Sequence, residues 1–155
     1  MNFILRKWKQ TDAPSLAFYA NDPQIAINLR KGFPSPYTLE DAEAFIKLAA
    51  GEDETKNLYL TIDIDGKAVG SIGVFCRTGK SAELGYWLGK PYWGKGIISQ
   101  AISEICRDAF TKFPIDEIFA EPYVWNKGSQ RALEKNGFIF SKSFKENCTY
   151  VLRRK

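Results

Sequence analysis

The stretch Pro91-Tyr92-Trp93-Gly94-Lys95-Gly96-Ile97-Ile98 lies between a strand-like run at residues 83–88 and a helix-like run at residues 99–112. A glycine-bearing turn from a strand into a helix leaves several backbone N–H groups unpaired, with the positive end of the helix dipole behind them. Gly94 and Gly96 can adopt a positive φ, which lets a bulky group approach the main chain, and Lys95 adds a positive charge. The stretch therefore predicts an anion site, most naturally for a phosphate group, although its spacing alone fits a plain turn equally well.

Two common nucleotide-binding patterns do not match this stretch. A Walker loop requires Gly-x-x-x-x-Gly-Lys-Ser/Thr, and the dinucleotide fingerprint requires a third glycine that this sequence lacks. The pattern therefore argues against a P-loop NTPase and against a Rossmann enzyme.

The composition is that of one globular domain. The 155 residues, 45% hydrophobic and 26% charged, suit a single domain over residues 1–155, and the net charge of +4 is modest. Three dispersed cysteines and the lack of histidine indicate no disulfide framework and no metal site, and they exclude a Ser-His-Asp triad. Without these ligands we expect no metal cofactor. No apolar run has the length of a signal peptide or a membrane span, so we expect a cytoplasmic protein.

Hydrophobic periodicity and turn signals predict an α+β fold. We expect a strand at residues 3–8, helices near 11–19 and 23–29, irregular chain at 32–37, a helix between Thr38 and Gly51, three antiparallel strands over 57–88, a helix over 99–112, a strand over 115–123, a helix over 129–136 and two strands within 138–155. This order predicts a mixed, mostly antiparallel central sheet flanked by helices.

Three segments together resemble the GCN5-related N-acetyltransferase (GNAT) family. They are Glu83-Leu84-Gly85-Tyr86-Trp87-Leu88, then Tyr92-Trp93-Gly94-Lys95-Gly96-Ile97, and the run from Asn126 through Ser129 and Leu133 to Gly137-Phe138. Within that family they are similar to the RimJ/RimL-like branch of ribosomal-protein-alanine acetyltransferases. The resemblance implies a GNAT-like sheet of about seven strands, with a V-shaped split between the fourth and fifth strands in which acetyl-CoA binds.

The resemblance also implies which residues bind the cofactor. They are Trp87 and Leu88 through their backbone groups, the loop residues Tyr92, Trp93, Gly94, Lys95, Gly96 and Ile97, and Asn126 and Ser129 at the following helix start. Pro91 stands where the family loop usually has a polar residue, so one contact is lost there. Asn and Ser are also ordinary helix caps, and we expect at least one of the two to act as a cap.

Glu83 and Ser129 are the candidate catalytic residues. Glu83 is the one carboxylate in an otherwise apolar strand, so it either faces solvent or lies in a site where it can act as a base. The resemblance implies a general base that takes the proton of the incoming ammonium through water, with Ser129 near the thiolate as a proton donor. Many relatives have a tyrosine that acts as the general acid where this chain has Leu133. In this chain the acid could be Ser129, a tyrosine from elsewhere or water, or no acid is needed because a thiolate leaves fairly readily.

The predicted activity is direct acetyl transfer from acetyl-CoA to a primary amine, either a protein N-terminal α-amine or a small-molecule amine. We expect the acceptor near residues 29–37 and 145–149. Pro91 and Leu133 keep open an alternative, a non-catalytic CoA-binding or regulatory module on the same fold. We expect no nucleic-acid or membrane partner, and the chain could be a monomer or a homodimer.

Overall fold

The computed structural model describes residues 2–155, which form a seven-stranded sheet with five helices. The strands are β1 (Ile4–Lys7), β2 (Asn57–Ile64), β3 (Lys67–Cys76), β4 (Ser81–Leu88), β5 (Glu117–Ala120), β6 (Ile139–Ser143) and β7 (Cys148–Arg153). The helices are α1 (Ala13–Ala20), α2 (Pro23–Ala26), α3 (Leu39–Ala50), α4 (Ile97–Lys112) and α5 (Lys127–Lys135). The strand order is β1-β2-β3-β4-β5-β7-β6, and only the β4 to β5 pairing is parallel, so the mixed, mostly antiparallel α+β fold is confirmed.

Local sequence signals explain most element boundaries. The Thr38 side chain accepts from the Asp41 N–H and the Asp41 side chain accepts from the Thr38 N–H, so a capping box starts α3. Asp65 and Gly66 have φ values of 53° and 84°, the left-handed pair that a two-residue hairpin between β2 and β3 requires.

Two apolar layers cover the two faces of the sheet. On one face, α4 and α5 pack through residues such as Ile102, Ile105 and Leu133. On the other face, α1 and α3 contribute Leu16 and Ile46. Full burial of one such aliphatic side chain stabilises the fold by about 1.5–3 kcal/mol. The first half of the sheet thus lies between two helical layers that pack against it through such side chains.

The sheet opens between β4 and β5. These strands pair only over residues 81–83 and 117–119, and they have no further ladder contact toward Leu88. One cause is that β5 ends at Ala120, before Pro122, whose nitrogen carries no hydrogen for a ladder bond. The predicted V-shaped split between the fourth and fifth strands is therefore confirmed.

Several element boundaries differ from the prediction. The strand predicted over 115–123 is shorter because of this early end. Helix α4 begins at Ile97 rather than 99 because Gly96, at a φ of 77°, serves as its N-cap residue, and α5 likewise begins at Lys127 after Asn126. Helix α2 ends at Ala26, so residues 27–29 form a turn rather than continuing the helix.

Candidate active site

The loop between β4 and α4 presents a row of unpaired backbone donors. Gly94 and Gly96 have φ values of 75° and 77°, and a Cβ at either position would meet nothing within 4 Å. Among the described residues, the backbone N–H groups of 94–99 have no acceptor within the protein. Lys95 is exposed beside them. Several free donors thus lie together at the positive end of a 16-residue helix, an arrangement whose chemistry fits a diphosphate.

Aromatic side chains fix this loop to the sheet. The Trp93 Nε1 donates to the Leu88 carbonyl at 2.7 Å, and the Tyr92 hydroxyl lies 3.3 Å from that of Tyr19 in α1. The Ile97 side chain is buried under the start of α4. The side chains of Tyr92, Trp93 and Ile97 therefore anchor the loop, while the main chain between them stays available.

The register of β4 decides which of its backbone groups face the split. The Gly89 N–H donates to β3 at 2.8 Å, and hydrogen-bonded pairs in an antiparallel ladder recur at every second residue. The backbone N–H and C=O of Trp87 therefore hydrogen-bond to β3, whereas the backbone groups of Tyr86 and Leu88 point toward β5. This corrects the expectation for Trp87: of the two predicted backbone contacts, only Leu88 faces the split, and the Trp87 side chain packs on the α1 and α3 face near Phe33.

Tyr86 and Ser129 meet on the α4 and α5 face of the sheet. Their hydroxyl oxygens share a short hydrogen bond, and the Tyr86 hydroxyl also lies 3.5 Å from the Ser129 carbonyl oxygen. Asn126 caps α5 by accepting from the Ser129 N–H at 3.2 Å, which confirms that one of the two polar residues acts as a cap. Burial raises the pKa of the Tyr86 phenol well above its ordinary value, and the bond to Ser129 opposes this shift. Tyr86 therefore remains a protonated donor at neutral pH.

Leu133 is a core residue. It is fully buried in the same apolar layer as Ile102 and Ile105, on the buried side of α5. The position where many relatives have a tyrosine therefore contributes packing in this chain, and the phenol beside Ser129 comes from Tyr86 in β4.

Glu83 lies at the closed end of the split, on the opposite face from Tyr86. It is the last residue of β4 that pairs with β5, and side chains alternate between the two faces along a strand. Its side chain is 10% exposed, so the alternative that it faces solvent is wrong. Arg77 donates from Nε and Nη2 to Oε1 at 3.1 and 2.9 Å, and Arg30 donates from Nη2 to Oε2. Both carboxylate oxygens are thus held by guanidinium groups.

A cavity of about 250 Å³ opens beside this ion-pair cluster. It is lined by Ala26, Ile27, Leu29, Arg30, Lys31, Gly32, Phe33, Tyr123, Trp125 and Glu146. The rings of Tyr123 and Trp125 stack at 4.4 Å, and Trp125 Nε1 donates to the Ile27 carbonyl at 3.3 Å. The structure therefore brings together parts of the two segments predicted to recognise the acceptor; their role in recognition stays a prediction.

Sequence reasoning assigned no individual role to three residues of this site: Arg30, Arg77 and Tyr86. For Tyr86 the sequence held a signal about its direction. Positions 83 and 86 are an odd number of residues apart in one strand, so the Tyr86 side chain must face the side of the sheet opposite to Glu83. Arg30 gave no signal, since it lies in a turn 53 residues before its partner.

Residues 2–155 hold neither a bilayer-spanning helix nor a cluster of metal ligands. No helix of this part of the chain combines the length and hydropathy needed to cross a bilayer. No three His, Cys, Asp or Glu side chains there converge as ligands of a metal ion would.

Comparison with known proteins identifies the family. The acetyltransferase (GNAT) domain model matches residues 2–139. The uncharacterized N-acetyltransferase p20 of Bacillus licheniformis is 26% identical over 138 residues, covering 86% of this chain and 77% of that protein. The solved structure of RimL, a ribosomal alpha-N-protein acetyltransferase in complex with coenzyme A, has a TM-score of 0.86 at 16% identity and covers 99% of this chain and 94% of that one. The microcin self-immunity acetyltransferase MccE, in complex with acetyl-CoA and AMP, has a TM-score of 0.81 at 21% identity over 98% and 92% of the two chains. With its sheet split between β4 and β5 and its glycine loop at the start of α4, this chain belongs to the GNAT acetyltransferase family.

Proposed function

We propose that this chain is an acetyl-CoA-dependent N-acetyltransferase that moves an acetyl group directly onto a primary amine. The observation that carries the proposal is the open split beside β4, with unpaired backbone groups along its wall and the free N–H groups of residues 94–99 at its mouth. A ligand with an anionic diphosphate and an extended amide arm would satisfy both sets of groups, and acetyl-CoA has both parts.

The glycine loop would hold the diphosphate through the backbone N–H groups of residues 94–99, with Lys95 as an additional cation. The Leu88 N–H would contact the pantetheine arm, because the Leu88 carbonyl is already occupied by Trp93. Asn126 has its side-chain oxygen engaged as a helix cap, which leaves its amide NH₂ group as the donor available to the arm. When bound, the thioester supplies an activated acetyl group.

The two faces of β4 would divide the proton transfers. Glu83, on the face of the cavity, would accept the proton of the incoming ammonium through water. Tyr86 and Ser129, on the opposite face, would donate a proton to the leaving sulfur. A β4 backbone N–H facing the split, that of Tyr86 or Leu88, would stabilise the negative charge that develops on the carbonyl oxygen.

A covalent acetyl-cysteine route has little support. Burial raises the pKa of the Cys106 thiol to about 12, and it also raises the pKa values of Cys76 and Cys148. A thiol is nucleophilic as its thiolate, so none of the three is activated. Direct transfer is the simpler chemistry for this site.

The acceptor would enter through the 250 Å³ cavity and present its amine to Glu83. A protein N-terminal α-amine and a small-molecule amine both fit this description, and the RimL structure shows that the same fold serves a protein α-amine acetyltransferase. We place the enzyme in the cytoplasm as a single domain over residues 1–155; its three free cysteines fit a reducing compartment.

One observation favours a second candidate, a CoA-binding or regulatory module without catalysis. Both oxygens of Glu83 are held by arginines, so the carboxylate can act as a base only after one ion pair opens. Retained acetyl-CoA binding without transfer to a broad panel of amines would favour this candidate.

The experiment that tests the proposal is calorimetric titration with acetyl-CoA. Gly96→Glu places a carboxylate among the donors of residues 94–99, and we expect binding to be lost. Gly79→Glu is the matched control, because Gly79 also has a positive φ of 69° and open space beside it, but lies in the β3 to β4 turn at the far end of β4. Retained binding by the Gly96 variant, or equal losses in both folded variants, would contradict the placement of the diphosphate; no binding by the wild type would contradict the proposed function.

A further inference from the structure

Glu83 has one fixed partner and one exposed partner. The side chain of Arg77 donates twice to the same carboxylate oxygen and lies over the Phe75 ring at 5.7 Å. The side chain of Arg30 is 74% exposed and belongs to the turn after the four-residue helix α2. An exposed ion pair of a long side chain contributes little to stability, so Arg30 can leave Glu83 at small cost.

Arg30 also separates Glu83 from the cavity. It lines the cavity and simultaneously contacts the carboxylate oxygen that Arg77 does not use. A water that carries the proton of an ammonium in the cavity to Glu83 Oε2 would therefore compete with the Arg30 guanidinium for that oxygen. Proton transfer from the acceptor and the Arg30 to Glu83 ion pair thus oppose each other.

The charges of this cluster set a condition on the acceptor. One carboxylate and two guanidinium groups carry a net charge of +1, and an added ammonium would raise it to +2. Lys31 and Glu146 also line the cavity and their charges offset each other, so the net charge of these five side chains stays +1. Like charges repel, so this positively charged cavity favours an acceptor that carries an anion close to its amine, and the Arg30 guanidinium released from Glu83 is the group that would bind that anion.

The geometry points to a primary amine that carries a carboxylate or phosphate within two or three bonds as the acceptor class, with Arg30 exchanging Glu83 for that anionic group when the ammonium arrives. This inference rests on the proposed transferase function and names its substrate class. Arg30 is then a residue that determines specificity: it screens Glu83 in the free enzyme and binds the acceptor's anionic group in the complex.

The test compares matched acceptors on the full chain. β-Alanine and β-alaninamide differ in a carboxylate, and 2-aminoethyl phosphate and ethanolamine differ in a phosphate, so the two pairs distinguish the anion. The measured quantity is the ratio of kcat/KM between the anionic and neutral member of each pair, for the wild type, Arg30→Gln and Arg153→Gln. Arg153 is the matched control because it is equally exposed, at 76%, and pairs with a strand glutamate, Glu117, away from the cavity.

We expect the wild type to prefer the anionic member of at least one pair by about tenfold or more, as a hydrogen bond between charged groups implies. Arg30→Gln should reduce this ratio to near one, whereas Arg153→Gln should keep the wild-type ratio. If Arg30 had only a structural role, the substitution would lower kcat/KM equally for both members of a pair and leave the ratio unchanged.

Two results would overturn the inference while the proposed function stands: a wild-type ratio of one or less, or an unchanged ratio in Arg30→Gln. Transfer to none of the four amines also overturns it. In that case calorimetric binding of acetyl-CoA decides separately whether the proposed function fails too.

Discussion

Replacing Glu83 by glutamine tests the proposed base without changing its shape. Its two arginine partners are 74% and 45% exposed, so each ion pair is screened by water and contributes about 0–1 kcal/mol. The glutamine carbonyl can still accept from one guanidinium. We therefore expect Glu83→Gln to lower the free energy of unfolding by about 1 kcal/mol and the Tm by about 2–4 °C.

The effect on catalysis should be much larger. A general base contributes about 10²–10⁴-fold, so kcat/KM at pH 7 should fall at least a hundredfold. The affinity for acetyl-CoA should not change, because Glu83 lies on the face of β4 opposite Ser129. The deficit should shrink as the pH rises, because an α-amine with a pKa of about 8 then reaches the enzyme already deprotonated.

The assay is the release of free coenzyme A, followed with a thiol reagent between pH 6.5 and 9.5. Asp12→Asn is the matched control: Asp12 is another buried carboxylate, paired with Arg6 at 2.8 Å, and it lies in the 3₁₀ turn before α1. We expect this control to lower stability and leave kcat unchanged. A loss of less than about fivefold in Glu83→Gln, or a loss of the same size at pH 7 and pH 9, would refute Glu83 as the base.

Three further predictions concern the opposite face and the core. Tyr86→Phe removes the hydroxyl that bonds Ser129, so kcat should fall while acetyl-CoA affinity, measured by calorimetry, stays the same; unchanged kcat would exclude Tyr86 as a proton donor. Leu133→Ala leaves a cavity in the α4 and α5 layer and should cost about 2–5 kcal/mol, visible in denaturant unfolding, whereas a cost under 1 kcal/mol would contradict its core position. Cys106, whose thiol pKa is raised to about 12 by burial, should resist iodoacetamide at pH 8 in the folded protein, while the half-buried Cys76 reacts first; mass spectrometry of the labelled peptides shows the order.

The elements that could be predicted are those whose signals are local. Thr38 caps its own helix and Asp65-Gly66 turns its own hairpin, because the groups that form each contact are three or fewer residues apart. The same holds for the loop at Gly94 and Gly96, where the donors belong to consecutive residues. Sequence periodicity missed the early end of β5, because a strand's length depends on whether its neighbour continues to pair with it.

The α+β fold, the family resemblance and the predicted anion loop could be read from the sequence, since they follow from turn chemistry, alternation and contiguous motifs. The surroundings of the two candidate catalytic residues depend instead on tertiary contacts. The partners of Glu83 and Ser129 come from positions 53 and 43 residues away, Arg30 and Tyr86, and nothing in the local pattern of either partner indicates the other. Such contacts exist because the sheet brings distant segments together at the split, and their geometry is fixed by packing rather than by any short stretch of the chain.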